Sequence, residues 1–169
     1  RRQRQMCIRD SHIQEIQKLS GETEAEIHKI MIMGGSRIAI RISSYAPDNM
    51  AIKLIECDKQ KSYKLAEYMN DIIIIQGDGR NVDLLKEEGI RDMDAFIALT
   101  DSSETNILAC LTAKELGVKK TIAEVENIQF ISTAERLNIG NIINKKLLAA
   151  SRIFQLLLDE DSSNAKCLA

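Results

Sequence analysis

The stretch KIMIMGGSRIAIR (residues 29–41) places an apolar run before two glycines and then a segment with helical periodicity. This order is typical of the first strand, tight turn and first helix of a dinucleotide-binding fold, in which glycines let the backbone approach a pyrophosphate. Gly34 stands at the first glycine position of that motif, whereas Ser36 and Ala39 stand at the second and third. Taken alone, the stretch fits either a nucleotide site or a plain strand-to-helix turn.

Outward from this turn, short apolar runs alternate with helical segments. The expected strands are KIMIM, AIKLIE, IIIIQ, AFIALT, KTIAEV and NII, and the expected helices are Arg37–Tyr45, Lys59–Met69, Val82–Glu88, Glu104–Leu116, Ile128–Leu137 and Lys146–Leu158. Continuous apolar strands are buried on both faces and therefore belong to a parallel sheet covered by helices. The sequence predicts an α/β fold: a doubly wound, Rossmann-like parallel sheet of about six strands with helices on both faces.

The segments around this repeat differ from it in composition. Residues 1–11 lack apolar periodicity and resemble translated adapter sequence, the alternative being a disordered basic tail. Residues 12–28 read as a short helix followed by an acidic linker, and residues 29–158 as the nucleotide-binding domain. Residues 159–169 are polar and end in KCLA, as expected of a linker and the first strand of a truncated further domain. We therefore expect a fragment of a longer protein, cut at both ends.

Composition excludes several classes of protein. The 169 residues carry a net charge of −2 with both signs interspersed, so no broad basic surface indicates nucleic-acid binding. Four widely spaced cysteines and two histidines show no metal-ligand or disulfide spacing, which favours a cytosolic protein with reduced thiols and no metal site. No apolar run approaches the ~20 residues needed to span a bilayer, so we expect no membrane insertion.

The candidate binding residues begin at the glycine turn. The helix that starts after Ser36 offers free amides and a partial positive charge to an anion, and Arg37 is a further cationic candidate. Glu56 ends the second strand, 22 residues after Gly34, where a carboxylate can accept hydrogen bonds from the adenosine ribose. Its charge would repel a 2′-phosphate, which favours NAD(H) over NADP(H). The alternative for Glu56 is a solvated strand end.

Other polar residues follow the third, fourth and fifth strands. Asp78 lies between two glycines after the third strand, and it is a candidate contact for adenine or ribose or else an ordinary turn residue. Thr100 and Asp101 follow the fourth strand, at the edge where such folds bind ligands. Asp101 and Glu104 also fit a helix capping box, which is the structural alternative. Glu124 ends the fifth strand at the same edge.

Catalytic signatures are missing from the domain. Both histidines precede the fold, and the chain contains no Tyr-x-x-x-Lys pair, no G-x-S-x-G and no P-loop. The sequence therefore predicts a site that holds a nucleotide without transforming it, and a protein that is not an enzyme.

Several linked motifs, spanning about Ile30 to Leu158, carry a resemblance to a known family. They are IMIMGGSRIA, LIECD, IIQGDGRNVDLLKEEGI, DAFIALTDSSETNILA and IINKKLLAASRI. With these, the chain resembles the TrkA family, the cytoplasmic NAD-binding regulatory subunits of Trk-type potassium uptake. The resemblance implies a phosphate loop and further NAD(H) contacts at Gly34, Gly35, Ser36, Arg37, Ile38, Glu56, Thr100, Asp101 and Glu124.

The resemblance also implies a function and partners. It implies a homo-oligomer on the inner face of the membrane that gates a membrane potassium transporter through nucleotide-dependent conformational change, with NAD(H), or ATP or ADP at the same site, as ligand. This chain would be the second of two NAD-binding halves, each followed by a small ligand-binding domain. Three alternatives stay open: the cofactor half of an NAD-dependent dehydrogenase, the regulatory domain of a potassium channel or antiporter, and a structural domain with an empty crevice.

Overall fold

A computed structural model describes residues 26–164 and is organised around one six-stranded, all-parallel sheet. The strands are β1 Lys29–Met33, β2 Ala51–Glu56, β3 Ile73–Gln76, β4 Ala95–Ala98, β5 Lys120–Glu124 and β6 Asn141–Ile143. The helices are α1 Arg37–Tyr45, α2 Lys59–Tyr68, α3 Val82–Glu87, α4 Ser103–Glu115, α5 Ile128–Arg136 and α6 Lys145–Asn164, with a 3₁₀ turn at Ile90–Asp92. The predicted doubly wound α/β fold is confirmed.

The strand order is β3-β2-β1-β4-β5-β6. Strands β2 and β3 are added on one side of β1, and β4, β5 and β6 are added on its other side, so the strand order reverses at the boundary between β1 and β4. Ile30 of β1 is in register with Ile52 of β2 on one side and with Ala95 of β4 on the other. In open parallel sheets, a crevice forms at the carboxyl ends of the strands that flank such a reversal. The topology therefore places the glycine turn after β1 at the mouth of that crevice.

Burial on both faces of the sheet explains the continuous apolar strands. Met31 and Met33 pack in one core with Phe96, whereas Ile32 packs in the other core with Leu54. Successive residues of a strand point to opposite faces, and here both faces are covered by helices, so neither tolerates a polar alternation.

Helix and strand ends agree with the predicted ends to within two residues, except at α6. The sequence predicts that this helix ends at Leu158, with a loop after it, but the helix continues to Asn164. The segment that follows Leu158 is polar yet contains neither glycine nor proline, and extending an existing helix costs far less than nucleating one. The expectations for residues 1–25 and 165–169 lie outside the described part of the chain.

At its other end α6 begins at Lys145, directly after Asn144, whose side-chain Oδ1 accepts a hydrogen bond from the Leu147 amide (3.0 Å). Neither α6 nor any other helix within residues 26–164 combines the length and apolar character required to cross a membrane.

Candidate functional site

A cleft of about 350 Å³ lies at the carboxyl ends of the strands that flank the topological reversal. Its size falls in the range of small-molecule sites in proteins, roughly 300–1,000 Å³. Seven predicted binding residues line it: Gly34, Gly35, Ser36, Glu56, Asp78, Thr100 and Asp101. The lining also contains polar residues that were not among the predicted contacts, namely Cys57, Lys61, Arg80, Ser102 and Thr105.

The two glycines of the turn are required for different reasons. Gly34 has φ +97°, and a Cβ there would lie 2.9 Å from the carbonyl oxygen of Leu99, so any side chain would be strained and crowded. A Cβ at Gly35 would overlap the Leu65 side chain and lie 2.8 Å from Oε2 of Glu56. The turn therefore brings bare backbone against the ends of β2 and β4, which also leaves room for a ligand above it.

Ser36 is the N-cap of α1, and its Oγ accepts a hydrogen bond from the Ala39 amide (3.3 Å). The preceding first-turn amides, those of Arg37 and Ile38, have no acceptor within the helix by geometry and are oriented along the helix axis at its N-terminus. Backbone donors and the helix dipole thus converge on this end of the cleft. The serine side chain caps the helix and still has its hydroxyl proton to donate.

The side chains of Arg37 and Ile38 do not line the cleft. Both line a separate apolar groove on the surface, together with Tyr45 and Met50. Arg37 therefore lines this groove and not the cleft, and a cationic contact from its side chain to a bound nucleotide stays a prediction. Of these two residues, the backbone amides at the start of α1 are the part that lies next to the glycine turn.

Glu56 is only 4% exposed, and its carboxylate lies beneath the glycine turn. Oε2 accepts hydrogen bonds from the Gly35 amide (2.8 Å) and from Nζ of Lys61 (2.9 Å), and Oε1 accepts from the Asp58 amide (3.0 Å) and more weakly from Sγ of Cys57 (3.5 Å). Burial alone would raise the pKa of Glu56, but the hydrogen bonds from Asp58, Lys61 and Gly35 outweigh it, and the pKa is lowered.

Asp78 lies on the rim of the cleft in an ion pair with Arg80. Its Oδ2 is 2.7 Å from a terminal guanidinium nitrogen, and its Oδ1 accepts from the Arg80 amide (2.9 Å). These hydrogen bonds lower the pKa of Asp78, the side-chain bond more than the backbone one. The aspartate thus stabilises a local turn and also lines the cleft, and its contact with adenine or ribose stays a prediction.

The capping box that was the structural alternative for Asp101 and Glu104 is absent from the start of α4. The N-cap is Ser102, whose Oγ accepts a hydrogen bond from the Thr105 amide (3.2 Å), and Asp101 is an exposed residue on the cleft wall. The helix begins one residue later than a cap at Asp101 requires, because Thr100 and Asp101 continue the turn away from β4.

This reassignment predicts unequal effects of two alanine substitutions. Ser102→Ala removes the cap of α4 and is expected to lower the free energy of unfolding by about 1 kcal/mol. Asp101→Ala, the matched substitution at the neighbouring residue, is expected to change it by less than about 0.5 kcal/mol. Urea denaturation of both variants measures the difference. If Asp101→Ala lowers the free energy of unfolding as much as Ser102→Ala or more, Asp101 and not Ser102 caps the helix.

Asn106 is the main structural residue of the site that the sequence did not identify. It is fully buried, and its Oδ1 accepts hydrogen bonds from the amide and the hydroxyl of Thr100 (3.0 and 2.6 Å). Its Nδ2 donates to the carbonyl oxygens of Thr100 (2.9 Å) and Glu124 (2.8 Å). One side chain therefore holds the ends of β4 and β5 together. The available signal was a lone asparagine on the apolar face of α4.

Glu124 is at the carboxyl end of β5, as predicted, but it does not line the cleft. It is 2% exposed, and its Oε1 is 2.5 Å from Nζ of Lys145, which also lies 3.5 Å from Glu126. Oε2 has no hydrogen-bond partner within the described residues. The hydrogen bond to Glu124 is the main reason that the pKa of Lys145 is raised. Lys145, in the first turn of α6, thus pairs with Glu124 at this strand end, and a contact between Glu124 and NAD(H) stays a prediction.

Comparisons with known proteins agree with this architecture. The TrkA-N domain model matches residues 30–145. The Trk system potassium uptake protein TrkA of Vibrio alginolyticus is 33% identical over 125 residues, which cover 74% of this chain and 27% of that protein. A TrkA homologue of Methanosarcina mazei is 27% identical over 148 residues, covering 86% of this chain and 36% of its own length. The chain thus spans about a third of the length of these relatives.

Solved structures of the GsuK channel share the fold. One, bound to NAD, superposes with a TM-score of 0.59 at 17% identity and covers 71% of this chain and 22% of that one. Another, bound to ADP, superposes with a TM-score of 0.59 at 18% identity and covers 72% of this chain and 32% of that one.

Proposed function

Because the chain belongs to the TrkA-N domain family, we propose that it forms a nucleotide-binding regulatory domain of a potassium-transport system. Its ligand is NAD(H), held in the cleft at the carboxyl ends of β1, β2 and β4. The diphosphate lies over the glycine turn and the N-terminus of α1, and the adenosine ribose lies at the end of β2.

The observation that carries this proposal is the convergence of backbone donors on one end of the cleft. Gly34 and Gly35 bring the main chain close to the strand ends without side chains, and Ser36 caps the helix whose first amides face the same space. A helix N-terminus of this kind attracts a negatively charged group through its unpaired amides and its dipole. ATP and ADP present the same phosphate and ribose groups and are the alternative ligands.

The cleft residues favour a regulatory role over a catalytic one. Cys57 is the thiol in the cleft lining, and burial, followed by its hydrogen bond to Glu56, raises its pKa, which disfavours the reactive thiolate. The remaining titratable lining residues are Glu56, Lys61, Asp78, Arg80 and Asp101, and the first four are joined in two ion pairs. This arrangement fixes four of the five charged lining groups in pairs and leaves Asp101 as the lining carboxylate outside them.

Regulation requires that the nucleotide bind one arrangement of an assembly better than another. We place the domain in a homo-oligomer on the cytoplasmic face of the membrane, attached to a potassium transporter whose opening the assembly controls. A coupling free energy of ~1–3 kcal/mol between nucleotide binding and transporter state is expected, as in most allosteric proteins.

Calorimetric titration of the purified chain with NADH, NAD⁺ and ATP tests the ligand. Saturable binding of NADH to one site per chain, with competition by ATP, is the expected result. The gating step is tested separately, by small-angle scattering of the assembled full-length protein and by potassium flux with and without NADH. Binding that changes neither the shape nor the flux would eliminate the gating role while leaving the site in place.

A further inference from the structure

The end of the cleft next to β2 presents a cation where the sequence predicted an anion. Lys61 lies in the first turn of α2, and its Nζ is 2.9 Å from Oε2 of Glu56. The lysine side chain is 50% exposed, whereas that of Glu56 is 5% exposed. Both residues line the cleft, and the ammonium of Lys61 is the more accessible of the two charged groups.

The carboxylate of Glu56 is also occupied on both oxygens. Two backbone amides, those of Gly35 and Asp58, donate to it in addition to Lys61, and the Cys57 thiol completes a set of four donors. A carboxylate has about four acceptor positions. A ribose hydroxyl that binds Oε2 of Glu56 must take the place of Lys61, because the other donor to Oε2, the Gly35 amide, is held by the turn.

This arrangement weakens the expected rejection of a 2′-phosphate. The repulsion was predicted from the charge of Glu56, but Lys61 compensates that charge at contact distance. An ammonium group has three N–H donors, and Glu56 takes one of them, so Lys61 retains donors for a second anion. Arg80 lines the same cleft and supplies a second cation, itself paired with Asp78.

We propose that Lys61 determines whether the cleft accepts an adenosine ribose with a 2′-phosphate, and that it allows either NADP(H) or NAD(H) to bind. This inference rests on the proposed nucleotide site. With NAD(H), Lys61 swings out and a ribose hydroxyl donates to Oε2 of Glu56. With NADP(H), Lys61 stays between Glu56 and the 2′-phosphate, donating to both.

The test is calorimetric titration of NADH and NADPH against the wild-type chain, Lys61→Met and Lys64→Met. Lys64 is an exposed lysine on the same helix that does not line the cleft, so it is a matched control for the loss of one positive charge. Charge-assisted contacts are the stronger class of hydrogen bond, so we expect the ratio of the NADPH Kd to the NADH Kd to rise at least about tenfold in Lys61→Met. That ratio is expected to stay at the wild-type value in Lys64→Met.

The possible outcomes separate this inference from the proposed function. A Kd ratio that is the same in Lys61→Met and in the wild type overturns the role of Lys61, and so does equal change in both lysine variants. Wild-type protein that binds NADH but not NADPH overturns acceptance of the 2′-phosphate and leaves the proposed function intact. Failure to bind either dinucleotide overturns both.

Discussion

Replacing Ser36 with aspartate is expected to lower the affinity for NADH by at least about 100-fold while leaving the fold as stable as that of the wild type. Ser36 is the N-cap of α1, with extended backbone angles and its Oγ accepting from the Ala39 amide. Aspartate is at least as good an N-cap as serine, and its charge favours a helix N-terminus. The same charge would stand where the diphosphate is proposed to lie.

The size of this effect follows from Coulomb repulsion. Two like charges about 4 Å apart near a protein surface repel by roughly 4 kcal/mol, and screening by salt reduces this. A diphosphate carries two negative charges, so we expect affinity for NADH to fall by at least about 100-fold, which corresponds to ~2.7 kcal/mol.

Ser36→Asn is the control for this experiment, because asparagine has the shape of aspartate, caps helices equally well and is neutral. It is expected to retain measurable NADH binding. Calorimetry and thermal denaturation of both variants give affinity and stability together. If Ser36→Asp binds NADH within about threefold of Ser36→Asn, the diphosphate does not lie at the N-terminus of α1.

The largest expected effect on stability is that of Asn106→Ala. The buried side chain of Asn106 makes four hydrogen bonds to the residues that end β4 and β5. Alanine leaves the amide and carbonyl of Thr100 and the carbonyl of Glu124 without these hydrogen-bond partners. Each polar group left unsatisfied on burial costs about 1–3 kcal/mol, and relaxation or water recovers part of this. We expect the free energy of unfolding to fall by about 3–5 kcal/mol.

Asn81→Ala provides the matched comparison, since Asn81 makes its hydrogen bonds at an exposed helix N-cap on α3. Its loss is expected to cost about 1 kcal/mol. Urea denaturation measures the loss of unfolding free energy in both variants, and the two losses can be compared directly when the m-values are equal. A difference of less than about 1 kcal/mol between them would mean that Asn106 does not hold the two strand ends together.

Local sequence signals accounted for most of the secondary structure. Apolar runs predicted six strands, and Gly34 and the residues after it predicted the turn at the start of α1. These signals depend on neighbours a few residues apart, so they are readable without the fold. The end of α6 was missed because no glycine or proline marks it. The N-cap residue of α4 could not be chosen from the sequence because Asp101 and Ser102 are both good caps.

The sequence by itself determined the parallel sheet and the turn at the head of the cleft, because strand periodicity and glycine conformation are properties of short segments. Only the tertiary structure decided which charges meet. It paired Lys61 with Glu56 and Lys145 with Glu124. It also placed Arg37 in a groove outside the cleft and Asn106 between the ends of two strands. Side-chain partners of this kind are set by the packing of helices on the sheet, and a polar residue in a buried position is stable only where that packing supplies its hydrogen bonds.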